Sequence, residues 1–276
     1  VRRAVRQDLA REFGFPADCV VAGGAGDNAA AATGIGAVSC GRGQVSLGTS
    51  GVLLTVNDRW TPSPETAVHS FAHAVSGSYI QMGVTLTATD SLSWLSEVTG
   101  QEPAALAELL PQTPQEPGEL VYLPYLAGER TPHNMDQAHG SFIGLSRKHG
   151  PRDMAQAVME GVAFSIADCA QALEAAGAPV EQLSAVGGGA RSDFWLQTVS
   201  NVLNRELMIN PLAEHAAALG CARLGQAAAS GIPVQTLPAL EVKPSESFKP
   251  QTELVPAYQQ AHERYQNLYQ AIKQAI

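Results

Sequence analysis

Two periods take turns along the chain. Apolar residues alternate with polar ones over short stretches, then recur every three or four residues over longer ones. The first pattern predicts strands and the second amphipathic helices. Val5, Leu9 and Phe13 share one side of a helix expected from residue 1, stopped by Gly14 and Pro16. Residues 20–22 form a short β-branched strand, and an alanine-rich helix starts near Asp27. Residues 44–56 read as two strands joined by Gly48-Thr49-Ser50-Gly51, a hairpin. Further strands are expected at 78–83, 120–124, 183–186 and 206–209, and helices at 90–98, 102–110, 152–176, 192–203, 214–230 and 258–276. In the longest helix Met154, Val158, Val162, Ile166 and Leu173 make one buried stripe. Residues 62–65, 126–133 and 238–250 are too polar or proline-rich for core and read as loops. Strands and helices alternate, so the class is α/β.

Composition narrows the function more than the fold. The 276 residues are 45% hydrophobic and 16% charged, as in globular proteins. A formal charge of −9, with no basic block, argues against a nucleic-acid partner. No apolar run reaches the roughly 18 residues of a membrane span. The four cysteines, Cys19, Cys40, Cys169 and Cys221, lie far apart and read as reduced, buried side chains of a cytoplasmic protein. The seven histidines form no metal-type cluster, so no metal ligands are expected.

Three turns carry candidate chemistry. Gly23-Gly24-Ala25-Gly26-Asp27-Asn28 puts one carboxylate where a strand gives way to a helix. By itself Asp27 reads as an ordinary N-cap, since aspartate suits the positive helix end. The Gly48–Gly51 turn can gather N–H groups and two hydroxyls into one concavity suited to phosphate oxygens, although alone it is an unremarked hairpin turn. Gly187-Gly188-Gly189-Ala190, between a strand and a helix, offers bare backbone to a flat ligand. It has neither the Lys-Ser/Thr of a P-loop nor the spacing of a dinucleotide fingerprint.

Taken in order, the Asp27 turn, Gly48–Gly51, Gly128-Glu129-Arg130-Thr131-Pro132-His133 and Gly188-Gly189-Ala190-Arg191-Ser192 resemble the FGGY carbohydrate kinases. A longer pattern adds to this: Gly140-x-Phe142-x-Gly144-Leu145, seven residues, then Asp153-Met154-x-x-Ala157-Val158-Met159-Glu160. The resemblance covers most of the chain. It implies an actin-like ATPase (ribonuclease H-like) domain with a mixed sheet flanked by helices. Residues 1–14 would be the end of a truncated N-terminal-domain helix or linker, and residues 15–276 the C-terminal domain. The family's general base falls on Asp27, and Asn28 would bind the sugar beside it. Gly48, Thr49, Ser50 and Gly51 would face the phosphates; Gly188, Gly189, Ala190 and Ser192 would lie along the nucleoside. ATP and Mg²⁺ are the implied cofactors, with the main Mg²⁺ ligand in the absent N-terminal domain, and a homodimer is compatible with the family.

Within the family, Gly-Asp-Asn-Ala-Ala resembles members that phosphorylate D-xylulose, whereas glycerol-phosphorylating members tend to carry glutamine after the aspartate. Another ketose or polyol, or a catalytically silent sugar-sensing module, are the alternatives. Thr87-Ala88-Thr89-Asp90-Ser91 departs from the glycine or alanine expected near the nucleotide. Arg130 is expected in a structural salt bridge more than in the cleft.

Overall fold

The computed structural model describes residues 2–238 and 246–273. In chain order the elements are β1 (Arg2–Ala4), α1 (Gln7–Phe13), β2 (Val20–Ala22), α2 (Asp27–Gly34), β3 (Arg42–Leu47), β4 (Gly51–Asn57), β5 (His69–Ala72), β6 (Tyr79–Thr85), α3 (Thr89–Thr99), α4 (Pro103–Glu108), β7 (Val121–Leu123), β8 (Ser141–Ile143), α5 (Pro151–Ala175), β9 (Gln182–Val186), α6 (Asp193–Leu203), β10 (Leu207–Ile209), α7 (Ala216–Ser230), β11 (Glu246–Phe248) and α8 (Val255–Lys273). Seven strands form one mixed sheet in the order β11-β10-β9-β3-β4-β6-β5. β9 runs parallel to both β3 and β10, and the remaining pairs are antiparallel.

Both faces of this sheet are covered, as the alternation in β4 and β6 requires. Val52, Leu54, Val56, Ile80, Met82 and Val84 point to one side, where Ala25, Ala29 and Ala32 of the α2 segment meet them. Leu53 of β4 and Val45 and Leu47 of β3 point to the other, into a larger core built on α5. Val158, Val162, Ile166 and Leu173 of α5 are all fully buried there. Each contributes about 1.5–3 kcal/mol relative to exposure. The helix begins at Pro151, whose missing N–H costs nothing at that position, and the Asp153 carboxylate accepts the Gly150 N–H at 2.8 Å.

Helix α7 lies directly against α2, and two glycines permit it. A Cβ on Gly220 would stand 1.8 Å from the Ala30 carbonyl oxygen, and one on Gly34 would stand 1.9 Å from that of Ala216. Backbone meets backbone at both places. The small-residue run after Asp27 is therefore a helix interface, as its composition suggests.

Four expectations need correction. Arg2–Ala4 is not helical: it pairs antiparallel with Val20–Ala22, and the Val5 N–H reaches the Cys19 carbonyl at 3.1 Å. The pairing satisfies backbone groups of a strand that would otherwise be an open edge. Helix α1 follows it and buries no residue, with Phe13 65% exposed. Of the cysteines only Cys169 is buried; Cys19 is half-buried, Cys40 and Cys221 are exposed, and all four are free. The segment 238–250 is not all surface connection, because Glu246–Phe248 adds an edge strand to β10 and buries Phe248; residues 239–245 lie outside the described residues. β5 and β8 were not expected; both are short, and neither contains a fully buried residue. The last helix starts at Val255 and is described as far as Lys273. Among the described residues, no helix is long and apolar enough to cross a membrane.

Candidate active site

Asp27 occupies the first helical position of α2, not the cap, which is Gly26. Its Oδ1 accepts the Asn28 backbone N–H at 2.8 Å and the Asn28 side-chain amide at 3.2 Å. The carboxylate is exposed and sits at the positive end of its helix. Asp27 and Asn28 open onto a cavity of about 460 Å³ lined also by His69 and Phe71 of β5, Met82 and Val84 of β6, and Arg130. Its lining is apolar apart from Asp27, Asn28, His69 and Arg130, an arrangement that fits a small hydroxylated ligand with one oriented carboxylate.

The cavity wall leads straight to the Gly48–Gly51 turn. Val84 pairs with Val52, and the next residue of β6, Thr85, pairs with Gly51. The turn is fastened from behind: the Ala88 and Thr89 N–H groups donate to the Thr49 and Gly48 carbonyls at 2.8 and 2.9 Å. Thr89 Oγ1 also donates to Gly48 O at 2.8 Å. The Gly48 and Thr49 carbonyls therefore face the start of α3, while the Thr49 and Ser50 residues are exposed. Thr89, within the segment 87–91 that departs from the expected glycine or alanine, has a local role, since its hydroxyl is one of the fasteners.

The third turn joins the second. Gly187 has φ 94°, a conformation other residues resist, and a Cβ there would lie 2.6 Å from the Leu47 carbonyl. A Cβ on Gly189 would meet that of Leu47 at 2.7 Å and the Thr89 methyl at 3.2 Å. Gly188, by contrast, is exposed, with nothing within 4 Å of where its Cβ would be. Residues 187–190 thus pack one side against the Gly48 turn and leave bare backbone on the other. Ala190 is half-buried against the core. Ser192 is the N-cap of α6, its Oγ accepting the Trp195 N–H at 3.3 Å.

Residue by residue, the three turns fall into two groups: Asp27 and Asn28 at the cavity, and Gly48–Gly51 with Gly188, Gly189 and Ala190 where β4 starts and β6 ends. Arg130 forms no ion pair among the described residues, contrary to the expected salt bridge, and lines the Asp27 cavity. Its neighbour Glu129 is 2% exposed, and its carboxylate accepts from Thr85 Oγ1 (2.5 Å), the Arg130 N–H (2.7 Å), the Leu86 N–H (3.1 Å) and Ser165 Oγ (3.2 Å). Burial pushes its carboxyl up to about 7, with the four donors opposing the shift. His69 is pulled down from its ordinary value by burial and then by the Arg130 charge. Sequence reasoning passed over His69 and Phe71, which carry no motif, and undervalued Glu129 despite its place in Gly-Glu-Arg-Thr-Pro-His. Among the described residues no group of three or more His, Cys, Asp or Glu side chains is arranged to hold a metal ion.

The chain is similar to known proteins over almost its whole length. The profile of the FGGY family of carbohydrate kinases, C-terminal domain, matches residues 43–229, a span that includes the second and third turns but not Asp27. The chain is 40% identical over 274 residues to a xylulose kinase of Escherichia coli K12, covering 98% of this chain and 56% of that protein. It is 41% identical over 227 residues to a xylulose kinase of Klebsiella pneumoniae, covering 81% and 46%. In structure it is similar to a xyloylose kinase from Brucella ovis, with a TM-score of 0.95 and 43% identity over 99% of this chain and 56% of that one. The chain spans about half the length of the relatives it matches. It belongs to the FGGY family of carbohydrate kinases, with the actin-like α/β fold of that family's C-terminal domain.

Proposed function

We propose that the protein to which these residues belong transfers the γ-phosphoryl group of ATP to D-xylulose, giving D-xylulose 5-phosphate and ADP. The observation that carries this reading is the placement of Asp27. An exposed carboxylate at a helix start opens onto a cavity whose wall continues, one residue pair along β4 and β6, into a glycine turn. Asp27 orients the sugar hydroxyl and takes its proton as the new O–P bond forms, while the bond to the β-phosphate oxygen breaks. Asn28, hydrogen-bonded to the same carboxylate, holds a neighbouring hydroxyl. D-xylulose is favoured by the xylulose kinases among the relatives and by Gly26-Asp27-Asn28.

The chain fits a nucleotide at its glycine turns. Gly188 leaves open the space a side chain would fill, and the Gly48–Gly51 turn presents two exposed hydroxyls beside it. Mg²⁺, when bound, neutralises charge on the β- and γ-phosphates. Its protein ligands are assigned to a domain preceding residue 15, which also completes the cleft, so residues 15–276 alone are expected to be inactive. A cytoplasmic location, where ATP is available, follows from the same reading.

The test is ADP release by the intact protein against D-xylulose, D-ribulose, L-fuculose and glycerol, with Asp27→Ala alongside. D-xylulose should give the highest kcat/KM. Asp27→Ala should lower kcat by about 10²–10⁴-fold, the usual share of a general base, with ATP affinity unchanged. A variant keeping a tenth or so of wild-type turnover rules out Asp27 as the base. Nucleotide binding without turnover on any of the four sugars favours a silent sensing module instead.

A further inference from the structure

Arg130 is held in place from both sides. Before it, Glu129 accepts the Thr85 hydroxyl, the Leu86 N–H and the Arg130 N–H. After it, the Thr131 N–H donates to the Val84 carbonyl at 2.9 Å, and Thr131 Oγ1 accepts the Val84 N–H at 3.0 Å. The loop is thereby zipped to residues 84–86 of the β6 end. Val84 lines the Asp27 cavity, and Thr85 pairs with Gly51 of the glycine turn. The Arg130 backbone is thus fixed at the point where β6 passes from the cavity to the glycine turn.

So firm a mounting is out of proportion to what the side chain does within the chain. The guanidinium is exposed, forms no ion pair among the described residues, and lines the same cavity as Asp27. His69 lines that cavity as well, and its buried Nε2 has no hydrogen-bond partner. Of the residues lining the cavity, Arg130 alone carries a permanent positive charge. A neutral sugar gives no reason for a cation there. A phosphoryl group crossing from the glycine turn to an oxygen held by Asp27 does, because negative charge spreads over its three equatorial oxygens in the transition state.

We propose that Arg130 is a further catalytic residue, whose guanidinium meets the γ-phosphoryl group as it passes from the nucleotide to the sugar oxygen. Its planar fork suits two of the equatorial oxygens. Glu129 is its positioning residue, acting through the backbone without touching substrate. This inference rests on the kinase reading above.

The test uses the intact protein with Arg130→Met and Arg130→Lys. Arg130→Met should lose about 10²-fold in kcat, as removal of one transition-state donor does. The KM for sugar, the Kd for ATP and the Tm should stay at wild-type values, since the side chain has no partner to lose in the folded chain. Arg130→Lys should recover part of the loss, having the charge without the fork. A kcat for Arg130→Met within about threefold of wild type overturns the proposal. So does a parallel rise in both KM values with a lower Tm, which marks a structural role. A wild-type protein that releases no ADP with any sugar removes the kinase reading and this inference together; active wild type with an indifferent Arg130→Met removes only the latter.

Discussion

The α2–α7 contact makes a sharp test, because a single methyl group should separate two helices and move the candidate base. The Cβ introduced by Gly220→Ala would lie 1.8 Å from the Ala30 carbonyl oxygen and 2.6 Å from its carbon. To reach even 3.0 Å, α2 must retreat by about 1.2 Å, and no flexible side chain can absorb the motion. Overpacking of this kind costs about 1–3 kcal/mol, and a backbone obstacle belongs at the top of that range. Alanine returns about 1 kcal/mol of helix propensity, leaving a net loss of about 2 kcal/mol. For a chain of this size that is a Tm lower by about 4–8 °C. Gly225→Ala, on the same helix with nothing within 4 Å of its Cβ, is the control. It has the propensity gain alone and should stabilise by about 1 kcal/mol. Urea unfolding followed by circular dichroism gives both numbers. Because Asp27 begins α2, the Gly220→Ala displacement should also lower kcat/KM by about 10²-fold, the effect of misplacing a catalytic group by an ångström. Equal stability of the two variants would refute the packing argument. A destabilised Gly220→Ala with wild-type kcat/KM would refute the link between α2 and catalysis.

Gly188→Ala should leave the Tm unchanged, since no protein atom lies within 4 Å of the added Cβ. It should also weaken ATP binding by at least about tenfold, or about 1.4 kcal/mol, if that open face holds the nucleotide; unchanged affinity by calorimetry would remove Gly188 from the site. Glu160, 2% exposed, has its carboxyl pushed up to about 7, first by burial, against hydrogen bonds from Gln156 and Gly118. The folded state therefore holds a proton that the unfolded state has released above its ordinary value of 4.5, and this group's contribution to stability falls as pH rises from 4.5 to about 7. The stability of Glu160→Gln relative to wild type should accordingly be higher at pH 7.5 than at pH 5 in paired urea titrations. A difference independent of pH would show that Glu160 is not a raised carboxyl.

The two hydrophobic periods determined much of this protein before any coordinates. The stripe Val158, Val162, Ile166, Leu173 is local, and local spacing suffices to make α5 a helix with a buried face. The same holds for the β3–β4 hairpin around Gly48–Gly51 and for the order of motifs that identifies the family. What escaped was set by partners distant in the chain. Arg2–Ala4 is a strand because Val20–Ala22 lies alongside it, and Glu246–Phe248 because β10 has a free edge; nothing within either tripeptide specifies that. The exposure of Cys40 and Cys221 likewise depends on which surfaces the fold leaves open. At the site, sequence named the Asp27 turn and the two glycine turns, but only tertiary structure joined Gly187 to Leu47 and set Asp27 at a cavity lined by β6. It also took Arg130 out of a presumed salt bridge and set it beside Asp27 and His69, residues 103 and 61 positions away in the chain. Spacing along a sequence encodes periodicity and short turns; which distant side chains share a cavity is decided when the sheet registers and the helices close over it.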